Sequence, residues 1–339
     1  MLWWDVISNA IRAGIGATVI VYSLAAIGLN LHFGYTGLLN FGQVGFMAAG
    51  AYGLGITSGT YSHPLWVGVL VGMAAGIALA LLLGAPTLRL RADYLAIVTI
   101  AAGEIIRLVV KAVRFKEVTG GSNGITEVAN PFQSSWNFIW TPSKEYGGRL
   151  FGRINFKFTG ADLWEMLVGW GLVVLSVGVM WLVVSSPWGR VLRSIREDED
   201  AARSLGKNVF RFKMQSLVLG GTFGSLAGIF FVLARNSVQP DNYSTPITFF
   251  ALTAAIIGGF GRVWGPVVGA MIFWTMMSFI ENTLRQAVGN NYIPDAIIEG
   301  VQVGQVRYIL MGVALMLLMI FRPQGIFGDK REIAIDARK

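Results

Sequence analysis

"SIREDEDAARSLGKN", residues 194–208, decides how the rest of the chain is read. Four consecutive acids, Glu197 to Asp200, stand beside Arg196, Arg203 and Lys207. On both sides the sequence returns to long apolar runs, and of its 339 residues 54% are hydrophobic and only 14% charged. Soluble domains carry about 25% charged residues. With a mean hydropathy of +0.59, the bulk of this chain is solvated by lipid, and 194–208 is a water-facing island between membrane segments. The 43 glycines agree, since small residues let membrane helices approach closely.

A spanning helix needs roughly 20 mostly apolar residues. Such stretches lie at 13–33, 64–84, 94–113, 163–184, 213–233, 247–260, 264–283 and 304–321. A further stretch, 36–57, is less apolar and holds Asn40, Gln43 and a run of glycines. It reads as a full span or as a broken, partly re-entrant one, because irregular backbone at membrane depth is tolerated only where protein or water lines it. The expected fold is all-α and polytopic, with about nine or ten transmembrane or re-entrant helices in a single membrane domain over residues 1–339. "GYTGLLNFGQVGFMAAGAY" (34–52) and "GGFGRVWGPVVGA" (258–270) share a glycine-spaced style that fits two halves related by an inverted repeat.

Basic loops give the orientation. The 185–213 segment carries seven Lys/Arg, the 322–339 tail five, and the short loop "PTLRLRAD" adds Arg89 and Arg91. Threading the spans between them puts all three on one face, which the positive-inside rule makes cytoplasmic. The 114–162 loop then lies outside, as a small hairpin or cap rich in aromatic and turn residues. The side of residues 1–12 depends on whether 36–57 crosses. The first apolar span reads as retained, since "MLWWDVISNA" lacks a basic n-region.

Several chemistries are excluded. There is no cysteine, so there are no disulfides, thiolate metal sites or cysteine nucleophiles. The two histidines, His32 and His63, fall near span ends and read as interfacial. No P-loop, zinc-protease, nucleophile-elbow or dinucleotide fingerprint occurs. The net charge of +8 reflects basic cytoplasmic loops rather than nucleic-acid binding. No cofactor is expected in this chain, and any ATP that drives transport must be held elsewhere.

Pro187 and Gly189 break the span before the charged island. Val191, Leu192, Ile195, Ala201, Ala202 and Leu205 then recur at the spacing of an amphipathic helix pair with a charged face. Gly206 and Asn208 give a stop. Such a helix lies on the lipid surface, links two spans through water, or docks as a knob in a partner's groove. The pattern alone leaves the three open.

Asp200-Ala201-Ala202 followed by Gly206 resembles the E-A-A-x-x-x-G loop of ABC importer permeases, with Asp in the Glu position. The stretches 34–52, "RADYLAIVTIAAGEIIRL" (91–108), "TGGSNGI" (119–125), "IGGFGRVWGPVVGA" (257–270) and "FRPQGIFG" (321–328) resemble, in the same order, the LivM family of branched-chain amino acid permeases. Departures are Asp200 and a long aromatic 126–162 insertion. The resemblance implies a coupling helix seated in an ATPase groove, with Arg196, Glu197, Asp200, Ala201, Ala202 and Gly206 at the contact. It also implies a LivH-like second permease, two LivG/LivF-like ATPase subunits that bind ATP and Mg, and an extracytoplasmic substrate-binding protein. The solute is a branched-chain or other hydrophobic amino acid, with urea and short amides as the alternative within the family.

Glu104 and Arg107 stand three apart and share a helical face. Intramembrane charge is a functional candidate by default. The pair reads as an internal ion pair, at a depth where removing one partner costs roughly 3–5 kcal/mol, or as part of the translocation path. Asn40 and Gln43 read as path residues or as interhelical packing bonds. Rival classes are a gradient-driven transporter that uses Glu104 as its ion site, and a membrane enzyme. The latter lacks a nucleophile, metal cluster or cofactor motif.

Overall fold

The long apolar stretches fold into helices close to where their composition puts them. The structure, a computed structural model, describes residues 3–90, 92–135, 141, 144–150, 154–290, 303–322 and 324–328. The tail beyond Gly328 and parts of the 126–162 insertion lie outside the described residues. Among the described residues, six helical segments are long and apolar enough to cross a membrane: Ala17–Thr36, Leu65–Thr87, Gly160–Ser185, Val209–Arg235, Gly265–Gly289 and Val303–Phe321.

In chain order, α1 is Trp3–Ala13 and α2 is Ala17–Leu29, which continues as a π-helical turn over Asn30–Thr36. Helix α3 is Gln43–Leu54, followed by a second π-helical turn, Gly55–Thr60. Next come α4 (Leu65–Thr87) and α5 (Ala92–Lys111). The connecting segment holds α6 (Lys116–Thr119), β1 (Ile125–Thr126), α7 (Asn130–Ser134) and the hairpin β2 (Glu145–Leu150) and β3 (Ile154–Thr159). Helix α8 is Gly160–Ser185, α9 is Pro187–Glu197, α10 is Glu199–Ser204 and α11 is Val209–Arg235. Strand β4 (Ser237–Val238) leads to α12 (Pro246–Gly258), α13 (Gly265–Gly289) and α14 (Val303–Phe321).

The structure describes two stretches that the sequence left open and changes one expectation, the 247–260 span. The 36–57 stretch is a broken element: residues 37–42 are irregular and α3 has 12 residues, about 18 Å of rise. The 247–260 stretch is also short. Helix α12 has 13 residues and stops at Gly259, whose φ of +95° turns the chain back into α13. The N-terminal stretch is two helices, because the bend at 14–16 separates amphipathic α1 from α2. Helix α1 packs on α13 and β3, with the Arg12 guanidinium 5.0 Å from the Phe158 ring, so it sits at the same end of the bundle as the hairpin.

The inverted repeat is present, in a different register from the one the glycine pattern suggests. A long helix, a break, a short helix and two long helices occur as α2–α3–α4–α5 and again, running the opposite way, as α11–α12–α13–α14. Counting the π-helical turn with α2 as one 20-residue segment, the first break (37–42) lies at one end of the bundle and the second (236–245) at the other. The repeats interlock: α3 packs on α11, α12 on α2, and α2 on α11. The span that includes α2 is 83% buried inside the protein, and the one at α14 only 11%. The central helices are therefore α2, α3 and α11, while α14 presents its sides outward.

Packing at the centre is backbone against backbone. A Cβ on Gly53 would come 2.5 Å from Gly72 Cα, and one on Gly72 would come 2.5 Å from Gly50 O. Small residues thus set the α3–α4–α11 spacing, as expected where lipid supplies no hydrophobic drive between helices. At the loop end, β1 pairs with β4 (Ile125 opposite Val238) and ties the insertion to the end of α11. The β2–β3 hairpin hands over to α8 through a capping box: Asp162 N donates to Thr159 Oγ1 (3.2 Å) and Thr159 N donates to Asp162 Oδ2 (3.0 Å).

Candidate functional site

The charged island folds as two short helices set across one end of the bundle. Ser186 Oγ caps α9 by accepting from Gly189 N (3.4 Å), and Pro187 takes the first helical position. Asp198 caps α10, its Oδ1 accepting from Asp200 N and Ala201 N, both at 2.9 Å. Leu192, Ile195 and Ala202 face inward, and the last two join Val209 in a small buried cluster. The sequence reading put Leu205 on that apolar face. Instead it is 78% exposed at the tip, beside exposed Ala201 and Arg203.

Gly206 closes the tip with φ +75°. Arg203 pairs with Glu199 (3.0 Å) and Asp200 (2.9 Å), and Lys213 pairs with Glu199. Glu197 is exposed. Arg196 points the other way, into the bundle, where its guanidinium donates to Gly34 O. The island is thus anchored by α9 and presents an apolar tip, Ala201 and Leu205, inside a charged rim.

The break between α2 and α3 is a closed polar network. Asn40 and Gln43 are fully buried. Asn40 Nδ2 lies 3.1 Å from His32 Nδ1 and donates to Gln43 Oε1 (3.3 Å), while Asn40 Oδ1 accepts from Gly42 N (2.9 Å). Gln43 Nε2 donates to Gly220 O (3.0 Å) on α11 and to Ala25 O (3.4 Å) on α2. His32 is fully buried rather than interfacial: the π-helical turn carries it past the end of α2, and its Nε2 lies 3.2 Å from Ser216 O. With Nδ1 facing the Asn40 amide, Nε2 is the protonated nitrogen and donates to Ser216. The backbone of the turn is also satisfied, since Phe41 N donates to Thr99 Oγ1 (3.1 Å) and Val44 N to Thr248 Oγ1 (3.0 Å). Sequence reasoning missed His32, Thr99 and Thr248. The one signal for them is that polar residues stand in otherwise apolar helices.

Glu104 and Arg107 occupy the loop-end half of α5. Arg107 Nη2 lies 2.6 Å from Glu104 Oε1 and Nη1 lies 2.7 Å from Asp241 Oδ1, while Lys111 Nζ lies 2.8 Å from the same Asp241 oxygen. Asp241, in the loop after α11, is held below the usual carboxylate range, first by the Lys111 hydrogen bond. The chain encloses the pair less than expected: the Arg107 and Glu104 side chains are 18% and 38% exposed. Removing Glu104 also leaves Arg107 with Asp241. Glu104→Gln should therefore cost about 1 kcal/mol or less, the scale of exposed pairs. A double-mutant cycle with Arg107→Gln, read by thermal unfolding of the purified chain, checks it. A coupling near the roughly 3–5 kcal/mol of a fully buried pair would show that the cluster is sealed from water within the chain itself.

Comparison with known proteins follows this geometry. A family model described as "Branched-chain amino acid transport system / permease component" matches residues 11–320. The chain is 30% identical to the high-affinity branched-chain amino acid transport system permease protein LivM of Escherichia coli, over 95% of this chain and 71% of that one. It is 25% identical to the probable branched-chain amino acid transport permease protein LivM of Methanocaldococcus jannaschii, over 94% of both chains. It is 24% identical to the probable LivH permease of the same organism, over 91% of this chain and 90% of that one.

Proposed function

The chain belongs to the branched-chain amino acid transport permease family, and from that premise we propose that it forms one half of the membrane pore of an ATP-driven importer for branched-chain or other hydrophobic amino acids. It is a multi-pass inner-membrane protein, and its family is a transport component rather than a catalytic enzyme. The observation that carries the proposal is the α9–α10 tip: an exposed leucine and alanine inside a charged rim, on a protein otherwise solvated by lipid. That is the helix-in-groove mode of docking.

The tip seats in an ATPase subunit. Two such subunits, of the LivG and LivF kind, bind ATP and Mg, and a LivH-like permease supplies the other half of the pore. The second permease meets the face formed by α5 and α12, because the partly buried Phe41, the exposed Phe249 and the Glu104–Arg107–Asp241 cluster reach the surface of the chain there. The α9–α10 end is cytoplasmic, following its Lys and Arg. The loop end faces the extracytoplasmic binding protein.

Affinity purification of the tagged chain tests the assembly. Recovery of a second permease and two ATPases, with hydrolysis stimulated by the binding protein loaded with leucine, isoleucine or valine, is expected. Recovery of the chain alone, with gradient-driven uptake, would reverse the reading. Orientation has its own test. Ser135 is exposed on the insertion, and the chain has no native cysteine. Ser135→Cys should react with a membrane-impermeant thiol reagent on intact spheroplasts, and labelling only after permeabilisation would invert the topology.

A further inference from the structure

Both non-helical turns at the α9–α10 end carry a phenylalanine that is only partly buried: Phe41 on the 37–42 turn and Phe260 on the 259–264 turn. Phe33, on the π-helical turn, bridges them, its ring 5.3 Å from Phe41 (edge-on) and 5.8 Å from Phe260 (stacked). Phe41 in turn lies 5.7 Å from Phe249 of α12, which is 43% exposed. Four rings thus form one continuous ladder along the α5–α12 face. The polar groups of the same turn, His32, Asn40 and Gln43, are fully buried behind it. The turn is held from the back by hydrogen bonds and shows apolar rings to the front.

The ladder is tied to α9. Arg196 donates to Gly34 O and the Arg193 guanidinium lies 5.4 Å from the Tyr35 ring, so α9 grips the π-helical turn that carries Phe33. The two turns are also joined to each other. Asn30 Nδ2 donates to Arg262 O (2.9 Å), Asn30 Oδ1 accepts from Gly261 N (3.0 Å), and Tyr35 Oη donates to Gly261 O (2.6 Å). Just past the grip, Gly37 adopts φ +72°, a left-handed pivot open to glycine. Beside it lies a cavity of about 250 Å³ bounded by Arg196, Glu199 and Lys213, which gives the pivot room to move.

We propose that Phe33, Phe41, Phe249 and Phe260 are the inner gate of the solute path and that Arg196 is the strut through which the coupling helix moves it. This rests on the importer reading and deepens it. Closed rings shut the path to water and small polar solutes by dewetting. Displacement of α9 by the ATPases pulls on Gly34, swings the turn about Gly37, and parts Phe33 and Phe41. A solute with an apolar side chain then passes along the parted rings, between this chain and the second permease, at little cost. Arg196 is here a positioning residue that acts through the backbone of the turn.

The test uses the assembled complex in proteoliposomes, with two readouts: passive efflux of preloaded leucine without ATP, and leucine taken up per ATP hydrolysed. Phe41→Ala and Phe260→Ala should raise efflux by about tenfold as the dewetted constriction opens to water. Phe41→Leu, which keeps apolar bulk, should give an intermediate leak. Arg196→Ala should lower uptake per ATP by about tenfold by breaking the link between α9 and the turn, and Arg196→Lys should recover part of it. Wild-type efflux from both alanine variants, in assemblies that still perform ATP-driven uptake, would overturn the gate. Uptake and hydrolysis that fall in equal proportion in Arg196→Ala would make it an ATPase contact and overturn the strut. A wild-type assembly without ATP-driven uptake would instead overturn the importer reading itself.

Discussion

Replacing Leu205 with glutamate is expected to leave the permease in the membrane and to strip it of its ATPase subunits. Leu205 is 78% exposed in the chain on its own, at the tip of a segment whose other large apolar residues are turned inward. Burying a leucine completely stabilises by roughly 1.5–3 kcal/mol, so losing that burial at the centre of a contact weakens association about ten- to a hundredfold. Glutamate adds the cost of desolvating a charge against the surrounding acids. Nothing inside the chain resists the change, because the side chain is already in water. Co-purification of the ATPases with Leu205→Glu, against Ala201→Arg as a second probe of the tip, measures it. Full recovery of ATPases with both variants would place the contact elsewhere on the α9–α10 end.

A single methyl group at Gly228 should do comparable damage by a different route. A Cβ there would fall far inside van der Waals contact distance of the Met47 carbonyl oxygen, an atom of α3 that cannot turn aside. Helices α3 and α11 would have to separate, and overpacking of this kind costs typically about 1–3 kcal/mol or more. Gly178 on α8 is the control, since nothing lies within 4 Å of a Cβ built on it. Gly178→Ala should be neutral or stabilising by up to about 1 kcal/mol, because alanine suits a helix interior better than glycine. Thermal unfolding of the two variants in one detergent is the measurement. Equal melting temperatures would mean that the α3–α11 contact is softer than its geometry suggests.

The long helices could be read from composition because lipid exposure and apolar content go together. Helices α4, α8, α11, α13 and α14 end within a few residues of the expected limits. Helix α12 could not be read that way, whereas the lower apolar content of 36–57 had already left a broken element open for α3. A short helix buried among others is as apolar as a spanning one, and what shortens α12 is the left-handed Gly259 that turns the chain back into α13. Nor could the register of the repeat be read from glycine spacing. It resides in the order of long and short helices, and glycines mark close approach wherever it occurs.

At the site, the charged island was legible as an amphipathic, water-facing segment between two spans. Periodicity assigned Leu205 to the wrong face because α10 ends at Ser204 and Leu205 is its C-cap, past the last turn to which the helical spacing applies. Asn40 and Gln43 were legible as misplaced polar groups. Their partners were not, since His32, Ala25 and Gly220 are brought to them by the third dimension alone. Glu104 and Arg107 were legible as a pair, but how far the chain encloses them was not. The surface they reach is set by Asp241, more than a hundred residues further along the chain.

The opposed repeats have a consequence for the energy of the resting subunit. Because they run in opposite directions, exchanging their internal geometries would turn the molecule inside out and give the oppositely open form. The two breaks are not equivalent: the first follows a π-helical turn and pivots at Gly37, the second is a short strand and a single 3₁₀ turn at Pro240–Tyr243. The exchanged form therefore differs in free energy from this one. A preference for one orientation is built into the backbone before nucleotide or solute binds, and ligands work by offsetting it. Spin labels on the two breaks, read in the isolated subunit, would report that preference as the ratio of two distance populations.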